Sequence, residues 1–224
     1  MTAPTIPAAP TVTIGTDPTG APVTIPTGGI LITGDNGTGK TVLATRIAAA
    51  RTTRPHASVL WAVHDWAVHA AASGWTHPLA ELADWSAGRR PQAARMLDTA
   101  HSVVRASRHT PDTARLLLAV DAEYLLPEGW TDHAAPLATA GHGHGHGLDL
   151  LLITDRHGLL HLPDALGREI PTRISFRQTD PRAAARAADL LGLDSPDALR
   201  DLPHVGAAYV RYPGADPVLV TIPA

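Results

Sequence analysis

This chain of 224 residues contains no cysteine, which excludes a disulfide framework and any thiolate metal site. It has one phenylalanine, and aromatic residues make up only 4%. A core must therefore be built from Leu, Val, Ile and Ala, a composition suited to parallel strands covered by helices. No apolar run approaches the roughly 20 residues that span a bilayer, and the opening MTAPTIPAAP lacks a basic, apolar signal pattern. A cytoplasmic location is the expectation. The net charge of -3 and pI near 6.5 give no bulk attraction to nucleic acid or to an anionic membrane, so contact with DNA needs a local arginine patch or charges gathered by oligomerisation. Lysine is the scarcest charged residue. Of 18 basic residues, one is lysine, Lys40.

That lysine lies in LITGDNGTGKT, residues 31–41. The stretch fits G-x-x-x-x-G-K-[ST], with Gly34, Gly39, Lys40 and Thr41 at the fixed positions and an extra Gly37 inside the loop. A compact, flexible ammonium reaches between phosphates where the planar guanidinium fork fits poorly. In such a loop the backbone N–H groups of Gly34, Asn36, Gly37, Thr38 and Gly39 cradle phosphate, and the helix that follows adds its positive dipole end. Lys40 reaches the β- and γ-phosphates of ATP, and the Thr41 hydroxyl ligates Mg²⁺.

The context fits the motif. Residues 1–10 are rich in Pro and Ala and are expected to form a disordered tail, with 11–224 as one domain. TVTIGTDPTGAPVTI predicts a leading hairpin, with strands at 11–14 and 22–25 around a turn holding Asp17, Pro18 and Gly20. GGILITG predicts a buried strand emptying into the glycine loop, and KTVLATRIAAA an Ala-rich helix. Further strands are predicted at 57–63, at 114–120 ending in Asp121, at 148–154 ending in Asp155, and at 172–177. PQAARMLDTAHSVVRASR, from Pro91, predicts a helix. DPRAAARAADLLG predicts another, with Asp180 as cap, Pro181 at its first position and Gly192 after its end. GAAYVRYPGADPVLVTI closes the chain as a terminal hairpin. Alternating strands and helices imply a three-layer α/β sandwich around a mostly parallel sheet.

A second element of such a site is an acidic residue at the tip of an apolar strand, holding Mg²⁺ through water. RLLLAVDAEYLL supplies Asp121, and Glu123, two residues on, is a candidate base for polarising the attacking water.

With these motifs and the two chain ends, the sequence resembles the motor domain of the FtsK/SpoIIIE family, RecA-like P-loop ATPases that work as hexameric rings on double-stranded DNA, with relatives in plasmid transfer and type VII secretion. IGTDPTGAPVTIPTGGILITGDNGTGKT is similar to the family's hairpin and P-loop. GLDLLLITDRH resembles its G-I-H-L-x-x-A-T-Q-R-P strand, IPTRISFR its I-P-T-R-I-x-F stretch, and AYVRYPGADPVLVTIP its closing strands. The likeness covers roughly residues 11–222. It implies ATP and Mg²⁺, a homo-oligomeric ring and double-stranded DNA as partner, places Thr154 and Arg156 in the sensor strand, and puts Arg173 near the subunit boundary with a catalytic role. Two departures stand out. Ala122 replaces the family's catalytic glutamate and Asp155 its glutamine, and a carboxylate near a γ-phosphate repels it. The alternatives to a DNA motor are therefore a hydrolysis-impaired nucleotide-binding regulatory or assembly subunit, and a secretion-type ATPase.

Two other features are set aside. GHGHGHG places His142, His144 and His146 at alternate positions with no acidic ligand nearby, and is read as a solvated loop. Trp61, Trp66, Trp75 and Trp85 are read as packing residues, and Arg89, Arg90, Arg105 and Arg108 as solvated.

Overall fold

The computed structural model describes residues 11–26, 28–52, 57–62, 115–121 and 148–223. Of these, 51–52, 57–62, 115–121 and 148–149 are described by their backbone course. The expectations for the tail at 1–10, the helix from Pro91, Ala122, Glu123 and the GHGHGHG loop lie outside the described residues, as do those for Trp66, Trp75, Trp85, Arg89, Arg90, Arg105 and Arg108.

Strands β1 (Thr11–Thr16), β2 (Pro22–Pro26) and β3 (Ile30–Thr33) lead into helix α1 (Lys40–Thr52). Strands β4 (Ala57–Ala62), β5 (Arg115–Asp121) and β6 (Leu148–Thr154) follow. Next come helices α2 (Arg156–His161) and α3 (Asp164–Glu169), strand β7 (Thr172–Phe176), and helices α4 (Pro181–Leu191) and α5 (Asp197–Arg200). Strands β8 (Ala207–Arg211) and β9 (Val218–Thr221) complete, among the described residues, a nine-stranded sheet in the order β2-β1-β9-β8-β7-β3-β6-β5-β4.

β7, β3, β6, β5 and β4 are parallel, and β8, β9, β1 and β2 add antiparallel strands on one side. The expected three-layer α/β sandwich is present. The leading and closing hairpins are not separate appendages, because Thr16 pairs with Thr221 and fuses them into the main sheet.

In-register pairs set the two faces. Ile30, Leu151, Ile32, Ile153 and Ile174 share the face that packs under α1. α1 buries Leu43, Ala44, Ile47 and Ala48, the i, i+1, i+4, i+5 spacing of one helical stripe. It touches β1 as well as β3 to β6, so the sheet curls around it. On the opposite face α4 packs on β7 and β8 and α2 on β6.

Helix α4 follows its sequence signals closely. Asp180 Oδ1 accepts from the N–H groups of Arg182 and Ala183 at 2.9 and 3.0 Å, Pro181 starts the helix, and Gly192 ends it at φ 71°. These bonds, that from Ala183 first, lower the Asp180 pKa. In the leading turn Asp17 Oδ1 accepts from Thr19 N, Thr19 Oγ1 and Ala21 N at 2.7 to 2.9 Å, as the Asp-Pro-x-Gly sequence predicts.

One expectation is corrected. Arg156 is not in the sensor strand but is the first residue of α2. The strand ends at Thr154 because the Asp155 carboxylate accepts from Gly158 N at 2.9 Å and starts a helix. Helices α2, α3 and α5 carry four to six residues each, too few for a periodic pattern to show in sequence.

The junction of the two hairpins depends on Gly15. β1 shifts register between Thr13 and Gly15, and a Cβ at Gly15 would meet Thr221 O at 2.1 Å. Gly15→Ala is expected to lower the unfolding free energy by about 1 to 3 kcal/mol. An unchanged urea midpoint would show that the β1–β9 contact does not hold the fold together.

Candidate functional site: a phosphate-binding loop

β3 is apolar and buried on both faces, as a central parallel strand must be, and it ends at the glycine loop. Gly34, Gly37 and Gly39 take φ of 152°, 77° and 108°, a backbone that side-chain-bearing residues rarely adopt. At Gly34 space is also closed, since a Cβ there would lie 2.7 Å from Phe176 Cβ. The chain's single phenylalanine is thus the floor of the loop.

Lys40 is buried, and its Nζ donates to Gly34 O and Asp35 O, both at 2.8 Å. Thr38 Oγ1 donates to Asp35 O at 2.8 Å. Asp35 anchors the loop from outside. Its N–H donates to Arg177 O at 2.9 Å, and its Oδ2 accepts from Thr179 N at 2.7 Å. Asn36 and Gly37 are exposed at the tip, and Thr41 opens α1 half-buried. This is an ammonium seated in a loop at a helix N-terminus, the donor set that a triphosphate requires. The residues fit a bound ATP, with Lys40 and the loop amides placed for its phosphates.

The sheet order fixes where the other candidates fall. The acidic strand β5 is not the immediate neighbour of β3, because β6 lies between them. Asp121 pairs with Ile153, one residue short of Thr154, which pairs with Thr33. Two interstrand spacings of about 4.8 Å therefore separate the acidic strand from the loop strand, with Thr154 between them. Thr154 is fully buried and its Oγ1 donates to Asp155 O at 3.2 Å. Glu123 lies beyond the described part of this edge.

Arg173 is not drawn to the loop. It pairs with Leu31 on β3, two residues before Thr33. Its Nε donates to Gly167 O at 2.9 Å, its Nη1 to Leu190 O at 3.1 Å, and its Nη2 to Arg168 O. Burial, then the charges of Arg211 and Arg168, lowers its pKa, with Asp189 opposing.

Sequence reading missed a buried polar cluster beneath the loop. Gln178 is fully buried, and its Nε2 donates to Thr33 Oγ1 at 3.3 Å and Ser175 Oγ at 3.4 Å. The polar residues near the ends of two largely apolar strands, Thr33 in ILIT and Ser175 in TRISF, were the available signal. Reading them required the register.

No protein-family model and no curated protein matches the chain. Solved structures do match. The cytoplasmic domain of the type VII secretion ATPase EccC from Thermomonospora curvata aligns over 95% of this chain and 28% of that chain, with TM-score 0.69 and 21% identity. The pCW3 conjugation coupling protein TcpA, solved with ATPγS, aligns over 95% of this chain and 65% of that one, with TM-score 0.61 and 16% identity. The genome packaging NTPase of Sulfolobus turreted icosahedral virus 2, solved with ATPγS, aligns over 87% of this chain and 97% of that one, with TM-score 0.58 and 13% identity. The chain has the fold of the FtsK/SpoIIIE-type ATPases. At these identities the likeness is one of fold, and the chain spans less than a third of the EccC chain. Among the described residues no helix is long and apolar enough to cross a membrane.

Asp155 is the residue whose sequence reading the structure changes most, since its carboxylate caps α2. Asp155→Ala is expected to cost about 1 kcal/mol of stability, while Asp155→Asn, which also caps, leaves the chemical-denaturation midpoint nearly unchanged. Equal losses in both variants would show that the charge, not the cap, is what matters there.

Proposed function

We propose that the chain is a Mg²⁺-dependent ATPase motor that acts on double-stranded DNA as a homo-oligomeric ring. The observation that carries this reading is the buried Lys40 ammonium held by two carbonyls inside a loop of three positive-φ glycines. That arrangement suits a polyphosphate, and an acidic strand end, Asp121, two strands from the loop strand supports a role for it with Thr41 in holding the metal. The fold supports a motor, since structures that share it come from a secretion ATPase, a conjugation coupling protein and a genome packaging NTPase.

Within this reading Lys40 and the amides from Gly34 to Gly39 bind phosphate, Thr41 and Asp121 hold the metal, Thr154 senses the γ-phosphate from between them, and Glu123 is the base. Capping by Asp155 gives its carboxylate a structural role of its own, which weakens one of the two sequence arguments for a subunit that binds ATP without turnover. A carboxylate engaged with Gly158 N is held by its own helix. The other argument rests on Ala122. The regulatory reading is therefore the second choice and the secretion-type reading the third.

Steady-state ATP hydrolysis with Mg²⁺ tests the proposal, with and without long double-stranded DNA. Turnover is expected to rise with DNA and to fall at least a hundredfold in Lys40→Ala. Bound ATP with turnover no higher than the variant's would overturn the motor and support the regulatory subunit. DNA-independent turnover would point to a different cargo.

A further inference from the structure

Helix α2 carries two histidines on its outer side. Gly158 and Leu159 are buried towards β6 and α4, while His157, Leu160 and His161 are exposed. His157 and His161 stand four residues apart, so one turn of helix brings them to the same face. Their ring centroids are 4.6 Å apart and the ring planes are inclined at 64°. We infer that this pair binds a divalent transition-metal ion of the Zn²⁺, Ni²⁺ or Cu²⁺ class, with one nitrogen of each imidazole as ligand. The ligands are the two side chains and not the helix end, and the inference does not rest on the nucleotide reading.

Spacing comes first. With metal–nitrogen bonds of about 2.0 to 2.1 Å, two imidazoles at neighbouring positions of one ion have their centroids about 4.5 to 5 Å apart. The observed separation falls in that interval. The rings meet edge to face, so binding requires them to turn about χ2, a broad torsion in histidine, and both rings are exposed and have room to do so. The backbone between them is already set, because the Asp155 carboxylate caps one end of α2 and the Leu162 N–H donates to Leu159 O at the other. Ligands held on a formed helix turn lose little further freedom when they meet an ion.

Ligand chemistry selects the ion. Imidazole nitrogen suits Zn²⁺, Cu²⁺ and Ni²⁺, whereas Mg²⁺ takes oxygen ligands, so the ion here differs from the one proposed at the phosphate loop. The carboxylates nearest in sequence are engaged elsewhere. Asp155 Oδ1 accepts from Gly158 N at 2.9 Å, and Asp164 Oδ1 pairs with Arg186 at 2.5 Å. The charge of Arg156, on the same surface, is partly answered by Asp180. Among the described residues no group of three metal-ligating side chains forms. These residues therefore supply two imidazoles, and water completes the coordination, which makes the site open and exchangeable where a structural zinc site is closed. A bound ion links the second and last residues of α2, the helix that begins where β6 ends.

The test is a Zn²⁺ titration of the ¹⁵N-labelled full chain at about pH 7.5, where free imidazoles are neutral, followed through the imidazole resonances. His157 and His161 are expected to shift together with one midpoint. His157→Gln is expected to weaken Zn²⁺ binding at His161 at least tenfold, and His161→Gln to do the same at His157, because each ring then binds without a linked partner. Mg²⁺ at the same concentrations is expected to leave both rings unmoved. Replacing His142, His144 and His146 together by Gln removes the other histidine cluster of the chain and is expected to change the midpoint by less than about twofold. Separate midpoints for the two rings, or a midpoint at one ring that survives substitution of the other, would overturn the inference. So would rings that stay unmoved at about tenfold molar excess of Zn²⁺, rings that respond equally to Mg²⁺, or a response lost with the three loop histidines.

Discussion

A buried ammonium held by the carbonyls of its own loop is the interaction on which the rest of the structure turns. Taking a charge out of water is costly unless hydrogen bonds replace its hydration. Lys40 meets that cost with Gly34 O and Asp35 O. Those two carbonyls point inward only because Gly34 takes a φ of 152° and packs against Phe176 with no room for a Cβ. Asp35 is in turn fixed by Arg177 O and Thr179 N. The loop's shape therefore depends on β3 beneath it, on the end of β7 beside it and on the single phenylalanine between. A phosphate arriving at this loop offers the ammonium a stronger, charge-assisted partner than either carbonyl, which gives binding an enthalpic gain without a search for geometry.

The segment after β7 has two structural roles. Residues 177 to 179 hold Asp35 and, through Gln178, the hydroxyls of Thr33 and Ser175. The next residue, Asp180, caps α4. Buried polar groups are worth retaining only when their bonds are made, and Gln178 Oε1 has no protein partner among the described residues. The cluster joins the loop strand to α4 through a few residues.

Much of this was legible in the sequence, because the strongest signals are local. The glycine motif, the Asp180-Pro181 start and Gly192 end of α4, the Asp17 turn and the apolar strand ending in Thr154 each depend on residues within a turn or two of one another, and each stands where those residues predict. Three things required the third dimension. The insertion of β6 between β3 and β5 is a topological fact that no local pattern encodes. The fusion of the hairpins rests on a glycine whose missing Cβ makes room for a carbonyl some two hundred residues away in sequence. Asp155, compared with a motif, looked like a lost glutamine, and only the six-residue helix after it shows the carboxylate as a cap.

Arg173 makes the same point about reading roles from motifs. It and Arg211 pair directly across β7 and β8, an arrangement of like charges that destabilises a sheet unless something offsets it. The offset is the carbonyl end of two helices. Arg173 donates to Gly167 and Arg168 at the end of α3 and to Leu190 at the end of α4, and Arg211 to Leu191 beside it, where helix dipoles favour cations. Gly192 belongs to the same arrangement, since a Cβ there would fall 2.3 Å from Arg211 Nη1. A guanidinium has five N–H groups, and Arg173 commits three of them to carbonyls of its own chain among the described residues. The arginine of the I-P-T-R-I stretch thus has a sufficient structural reason to be where it is.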